Sequence, residues 1–189
     1  MSSYDHILIS QIPHKKGRLE ILLDVADLIS SRNLDYRIVV TVHPGTRAAE
    51  RFLESIKVRG LEGVIFNIGE VPLTAMPSLY KQCDAVILPT LLESFSIVYP
   101  EAMHYRLPIF TSDLWFARSV CGQAASYFDP LDAQNILETV DEIFTDEAKR
   151  LALVEMGARV GVSSCKCSQF HSSQCSKFHS SQCSQFHSY

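Results

Sequence analysis

The sequence predicts an α/β protein with a doubly wound parallel sheet of about six strands, followed by a disordered C-terminal tail. Six short apolar runs alternate with stretches of helical periodicity across the first 160 residues. The connections are a few residues long, and such alternation is typical of a parallel sheet with helices on both faces. The last 29 residues differ, because they contain ten serines and no acidic residue. We therefore divide the chain into a Rossmann-like domain, residues 1–160, and a tail, residues 161–189.

The elements of the first half follow one another in the order that this fold requires. His6–Gln11 is an apolar run typical of a strand, and Gly17–Ser31 then repeats leucine, alanine and isoleucine at helical spacing. Arg37–Val42 predicts the second strand. A helix is expected over Arg47–Arg59, and Gly60 is expected to end it.

The second half continues the alternation with shorter elements. Val64–Ile68 predicts a third strand, Pro77 suits the first turn of a short helix that reaches about Cys83, and Asp84–Leu88 predicts a fourth strand. The remaining predicted elements are a helix over Ser96–Arg106, a strand over Pro108–Thr111, a helix over Leu114–Cys121, a strand over Ala125–Phe128 and a helix capped by Asp132. Ligands of doubly wound folds bind at the carboxyl ends of the strands, so functional residues are expected just after each strand.

Composition and charge argue against several classes of function. With 17 basic and 21 acidic residues the net charge is −4, and no basic stripe is present, which disfavours a nucleic acid partner. The longest apolar runs, such as Ala85–Leu88, are far shorter than the roughly 18 residues of a membrane span. The N-terminal residues lack the basic start, long apolar run and cleavage site of a signal peptide, so a cytoplasmic location is expected.

The tail repeats with a period of eight residues, beginning at Ser168 with SQFHSSQC. Serine and glutamine dominate the repeat, which offers too little apolar surface to offset the entropy of ordering the chain. Histidine and cysteine alternate every four residues, which on a helix would line one face with zinc or copper ligands; these are His171, Cys175, His179, Cys183 and His187. Because any repeat of eight repeats the ligands it contains, and serine-rich sequence forms poor helices, we expect a dispensable repeat without a metal site.

Two glutamates follow the fourth predicted strand. Glu93 falls in the loop after the strand and Glu101 in the first turns of the next helix, so both flank the free amides between Phe95 and Val98. Free amides at a helix start suit a diphosphate. A carboxylate one turn into the helix can accept hydrogen bonds from two ribose hydroxyls, and a carboxylate in the loop can accept one from a sugar hydroxyl.

This stretch resembles the E-x7-E signature of the retaining glycosyltransferases with the GT-B fold, the large family known as family 4 type or group 1. Further segments resemble the same family in the same order; they are Pro13-His14-Lys15-Lys16-Gly17 (a phosphate-binding lysine segment), Gly69-Glu70-Val71 (G-x-V) before the helix with Leu79-Tyr80, Ala102-Met103 with Leu107-Pro108, and Tyr127-Phe128-Asp129-Pro130. The resemblance covers about residues 6–155 and corresponds to the C-terminal, donor-binding half of that family.

The resemblance implies a role for each matched residue. Glu101 would hold the nucleotide ribose, Glu93 would contact the donor sugar, and Lys15 or Lys16 would neutralise the diphosphate leaving group. The nucleotide sugar would also contact Ser94, Phe95, Ser96, Ile97 and Val71. Transfer would retain the anomeric configuration without a metal or another cofactor. A fixed lysine suits the leaving phosphate because negative charge develops there in the transition state.

The leading interpretation is the donor-binding half of a retaining glycosyltransferase, inactive alone and working with a nucleotide sugar and an acceptor-domain chain. The alternative is a non-catalytic nucleotide-binding or regulatory module of the same fold. An independent enzyme such as a sugar-nucleotide epimerase is disfavoured because no G-x-G-x-x-G follows the first predicted strand. Many members of the family carry an arginine where Ser10, Gln11 and Ile12 stand here, which predicts weaker diphosphate binding.

Overall fold

A computed structural model describes residues 6–10, 19–92 and 96–165, with side chains up to residue 160. The strands are β1 (His6–Ser10), β2 (Tyr36–Val40), β3 (Ile65–Asn67), β4 (Ala85–Leu88), β5 (Ile109–Ser112) and β6 (Ser126–Phe128). The helices are α1 (Glu20–Ser31), α2 (Arg47–Val58), α3 (Met76–Tyr80), α4 (Val98–His104), α5 (Trp115–Cys121), α6 (Ala133–Thr145) and α7 (Glu147–Cys165). A 3₁₀ turn, Leu73–Ala75, directly precedes α3.

The six strands form one sheet in the order β3-β2-β1-β4-β5-β6, and every neighbouring pair is parallel. The chain therefore begins in the middle of the sheet, builds outward through β2 and β3, and returns to the other side of β1 with β4. This confirms the predicted doubly wound fold. The connections change direction between β1 and β4, and ligands of such sheets bind in the crevice at that switch point.

Each face of the sheet is covered by its own set of helices. Successive residues of a strand point to opposite faces, so Leu8 packs in a core with α1, α2 and α6, whereas Ile9 packs in a second core with α3, α4 and α5. All four residues of β4 are buried, as expected for a central strand covered on both sides. The helices α3 and α4 thus share one core, and both begin close to the carboxyl edge of the sheet.

Side-chain hydrogen bonds fix several element ends. The predicted cap of α6 is confirmed, because the Asp132 carboxylate accepts hydrogen bonds from the backbone amides of Gln134 (2.9 Å) and Asn135 (3.1 Å). Pro77 lies in the first turn of α3 as predicted, but α3 ends at Tyr80 rather than near Cys83. Directly before β4, Asp84 is bonded to Ile7 of β1. The Asp84 amide donates to the Ile7 carbonyl, and the Asp84 carboxylate accepts from the Ile7 amide, both at 2.8 Å.

The helix α7 was not predicted from the sequence. It packs against α4, where Gly157 faces Met103, and its Met156 and Val160 pack against the core that contains α3, α4 and α5. Its backbone continues to Cys165, past the expected domain boundary at residue 160. The repeat that follows lies outside the described residues. Within the described part of the chain, no helix has both the length and the apolar character needed to cross a membrane.

Candidate functional site

The crevice expected at the switch point of the sheet lies between the carboxyl ends of β1 and β4. Ser10 ends β1, and its buried hydroxyl makes no hydrogen bond among the described residues. The two adjoining segments, residues 11–18 and 93–95, lie outside the described residues. They contain five of the expected site residues, whose roles stay predictions; these are Lys15, Lys16, Glu93, Ser94 and Phe95.

A cavity of about 200 Å³ lies beside this crevice, at the carboxyl edge of the sheet. Its walls are formed by Thr41, Glu70, Val71, Leu73, Met76, Ile97 and Glu101. Three of the expected site residues, Val71, Ile97 and Glu101, are therefore brought to one cavity by the loop after β3 and by the start of α4. Ser96 precedes Ile97 and is almost fully buried, but it does not line the cavity.

The loops after β2 and β3 are tied together by Asn67. Its side-chain carbonyl accepts hydrogen bonds from the amides of Val42 (2.9 Å) and Gly69 (3.2 Å), and its side-chain amide donates to the Val42 carbonyl (3.0 Å). Gly69 has φ +72°, a left-handed conformation that favours glycine. These bonds hold the backbone of the residue after Thr41 and of the residue before Glu70, and both Thr41 and Glu70 line the cavity.

Glu101 contributes a carboxylate to the cavity wall, and Tyr80 holds that carboxylate in place. Glu101 lies in the first turn of α4 and is partly buried, and the Tyr80 hydroxyl donates a hydrogen bond of 2.8 Å to Oε2. Burial raises the pKa of Glu101 above its ordinary value, and the hydrogen bond from Tyr80 opposes part of that rise. Among the described residues no second hydrogen bond to this carboxylate is formed, so it retains acceptor capacity toward a ligand.

Glu70 provides a second carboxylate at the cavity wall, but in a different setting. It lies 3.8 Å from His43 Nδ1, and the two side chains are 79% and 61% exposed. An ion pair so exposed contributes little to stability. Among the described residues, Glu70 is thus paired with an exposed histidine, whereas Glu101 is bonded to a buried tyrosine.

Sequence reasoning did not assign roles to Thr41, Glu70, Leu73, Met76 or Tyr80. Glu70 stands inside the G-x-V segment and Thr41 follows β2, so their places at strand ends were a usable signal. Tyr80 stands in the Leu79-Tyr80 pair of the family resemblance, which gave it no role. Its contact with Glu101 joins positions 21 residues apart.

A second, larger hollow of about 630 Å³ lies after β5 and β6. Two of the residues that line it contact Arg118, which is not part of the lining: Asp113 forms a two-point ion pair with Arg118, and the Arg118 guanidinium lies 4.3 Å from the centre of the Tyr127 ring. The hydrogen bond from Arg118 lowers the pKa of Asp113. Because Glu101 does not line this hollow, we place the candidate site in the smaller cavity, which contains three expected residues.

No group of three or more histidine, cysteine, aspartate or glutamate side chains suited to a metal ion occurs within residues 6–10, 19–92 and 96–160. The histidine and cysteine residues of the repeat lie outside that range.

The architecture and a family match define the class of protein. The fold is that of the C-terminal domain of GT-B glycosyltransferases. Residues 4–160 match the family described as "Glycosyl transferases group 1", and the chain belongs to that family. No relative was found among curated proteins.

Solved structures with the same fold are distant in sequence. Sucrose-phosphate synthase from Thermosynechococcus elongatus is 16% identical with a TM-score of 0.72, over 86% of this chain and 42% of that one. The C-terminal domain of the group 1 family protein LpcC from Francisella tularensis is 21% identical with a TM-score of 0.69, over 84% of both chains. Anabaena Alr3699/HepE, solved in complex with UDP and glucose, is 16% identical with a TM-score of 0.72, over 84% of this chain and 44% of that one. The chain thus spans about two fifths of the length of sucrose-phosphate synthase and HepE.

Proposed function

We propose that this chain binds a nucleoside diphosphate sugar and serves as the donor-binding half of a retaining glycosyltransferase. The observation that carries the proposal is the partly buried Glu101 carboxylate, held by Tyr80 at the wall of a cavity that Val71 and Ile97 also line. Membership of the glycosyl transferase group 1 family supports the same substrate class. In this proposal the cavity receives the nucleoside, and Glu101 accepts hydrogen bonds from the two ribose hydroxyls.

The other roles extend from that placement. Lys15 and Lys16, after β1, would neutralise the diphosphate, and Glu93, after β4, would contact the sugar. The segment Ser94–Ile97 would meet the sugar and phosphates through its backbone amides. Transfer would retain the anomeric configuration without a metal, and an acceptor-domain chain is the proposed partner. A cytoplasmic location remains a prediction from the sequence.

A second candidate is a nucleotide-binding or regulatory module that transfers nothing. The chain spans 42–44% of the length of sucrose-phosphate synthase and HepE. Both candidates require the nucleotide site at Glu101. Turnover in the presence of an acceptor-domain chain distinguishes them.

The test compares ribonucleotides with their 2′,3′-dideoxy analogues. We would titrate the chain calorimetrically with diphosphates of uridine, guanosine and adenosine, beginning with UDP because HepE was solved with UDP. Two hydrogen bonds to a charged group, at about 1.5 kcal/mol each or more, predict a preference for the ribose form of roughly 100-fold. Glu101→Ala should reduce that preference to near unity.

Glu54→Ala is the matched control, because Glu54 is an exposed carboxylate on α2, away from the cavity. It should keep the full preference for ribose. If the wild type does not distinguish the two forms, or if Glu101→Ala distinguishes them as well as the wild type does, the ribose assignment is wrong.

A further inference from the structure

We propose that Tyr80 is a positioning residue of the nucleotide site, whose hydroxyl fixes the Glu101 carboxylate in the orientation that receives the ribose hydroxyls. The inference rests on the proposed function and extends it to a residue outside the cavity wall. Tyr80 does not line the cavity, so it acts through Glu101.

The position of the Tyr80 hydroxyl is set by packing. Tyr80 is the last residue of α3 and has an exposed fraction of 0%. Its ring stacks on Tyr105 with centroids 5.1 Å apart and planes 15° from parallel. A ring enclosed in this way cannot swing, so the donor atom keeps one place relative to α4.

The hydrogen bond therefore removes freedom from the acceptor. A glutamate has several rotatable side-chain bonds, and an unrestrained Glu101 would lose that freedom when a ribose bound. Because the Tyr80 hydroxyl holds Oε2 at 2.8 Å, the carboxylate is ordered before the ligand arrives. Such preorganisation strengthens binding by lowering the entropy lost on association.

The same bond favours the charged form of the carboxylate. Burial raises the pKa of Glu101, and the hydrogen bond from Tyr80 lowers it. Glu70, with His43 beside it, is the other titratable group at this cavity among the described residues. An ionised carboxylate accepts from both ribose hydroxyls, whereas a protonated one gives up acceptor capacity. Removing the Tyr80 hydroxyl should therefore raise the pH at which ribose recognition is lost.

The experiment uses the 189-residue chain and Tyr80→Phe. Calorimetry would measure affinity for the diphosphate that the wild type binds most tightly among UDP, GDP and ADP, and for its 2′,3′-dideoxy form, from about pH 5 to about pH 8. Near neutral pH, Tyr80→Phe should reduce the preference for the ribose form by about twofold to tenfold, the effect expected when one side chain must be ordered on binding. The pH midpoint of that preference should move upward.

Tyr99→Phe is the matched control. Tyr99 is equally buried and lies on α4 with Glu101, but its hydroxyl is hydrogen-bonded to Thr111 Oγ1 at 2.8 Å. This variant should leave both the preference and its pH midpoint unchanged. An equal loss in Tyr99→Phe and Tyr80→Phe would mean that core packing is responsible, and would overturn the proposal.

The failure of this inference is distinguishable from failure of the proposed function. A wild type that does not prefer the ribose form would refute the proposed function and, with it, the role of Tyr80. A wild type that does, with an unchanged Tyr80→Phe, would overturn the role of Tyr80 alone. If Tyr80→Phe does not fold, 3-fluorotyrosine at position 80 keeps the ring and makes its hydroxyl a stronger donor. It should lower the pH midpoint, and no shift would overturn the proposal.

Discussion

Gly157 marks the contact through which α7 supports α4, the helix that carries Glu101. A Cβ atom at position 157 would lie 3.3 Å from Met103 Cγ and 3.8 Å from Met103 Cα and Cβ. Non-bonded carbon atoms prefer about 3.5–4.0 Å. The first added carbon therefore fits after a shift of a few tenths of an ångström in a flexible methionine side chain, but further carbons would meet the backbone of α4.

Two substitutions separate these effects. Gly157→Ala gains up to about 1 kcal/mol of helix propensity, which offsets the small shift, so its free energy of unfolding should stay within about 1 kcal/mol of the wild type. Gly157→Leu adds three more carbons against a side chain that is 3% exposed. Overpacking of this kind costs about 1–3 kcal/mol. A loss of about 2 kcal/mol lowers the melting temperature by about 4–8 °C in a domain of this size.

Thermal and urea unfolding followed by circular dichroism would measure both variants. Ala152→Leu is the control, because Ala152 is exposed on the same helix and the same side chain there should change stability by less than about 0.5 kcal/mol. If Gly157→Leu is as stable as Ala152→Leu, α7 does not pack on α4 at this contact and the reasoning is refuted.

Two further predictions concern the site. Burial raises the pKa of Glu101 despite the Tyr80 hydrogen bond, so its protonated form stabilises the fold at low pH, and that contribution is lost as the pH rises through the folded pKa. Glu101→Gln, which keeps an acceptor without the charge, should therefore raise the free energy of unfolding near about pH 8 and change it little near about pH 4. Urea unfolding would measure this difference, and a variant less stable than the wild type at the higher pH would contradict the prediction. The 189-residue chain alone should bind a nucleotide sugar but transfer none, because holding donor and acceptor together supplies roughly 7–11 kcal/mol of the barrier and the chain spans 42–44% of the length of HepE and sucrose-phosphate synthase. An assay with a panel of donors and acceptors would measure turnover, and robust transfer abolished by Glu93→Ala would show that this span is a complete enzyme.

The strands could be predicted because burial on both faces leaves a continuous apolar run. The four residues of β4, predicted within Asp84–Leu88, are all buried. The end of β2 could not be predicted in the same way. Val42 is 2% exposed and has the character of a strand residue, yet β2 ends at Val40. The amide of Val42 bonds to the Asn67 side chain instead, a contact that apolar periodicity does not record.

The helix α7 was missed for a related reason. Glycine in a helix interior costs about 1 kcal/mol relative to alanine, so Gly157 and Gly161 weaken the helical pattern of this segment. At Gly157 this cost is offset by packing, because the absence of a side chain lets α7 approach Met103 closely. Propensity alone counts the cost of the glycine and omits the contact that it permits.

The site depends on the strand order, which the sequence pattern leaves open. Thr41 follows β2, and Glu101 lies on α4, which follows β4. The two residues line one cavity because both strands flank β1 in the sheet. The spacing of Glu93 and Glu101 indicated the region, whereas the contact between Tyr80 and Glu101 is visible only in the structure.

That bond also distinguishes Glu101 from an ordinary helix carboxylate. A solvated glutamate would keep an ordinary pKa and need no buried partner, whereas burial raises the pKa of Glu101 and a fully buried tyrosine acts against that rise. The fold thus maintains a carboxylate at a cost in stability at neutral pH and orients it toward a cavity. A ligand that donates hydrogen bonds to Glu101 would recover that cost on binding, as the two hydroxyls of a ribose do in the proposed function.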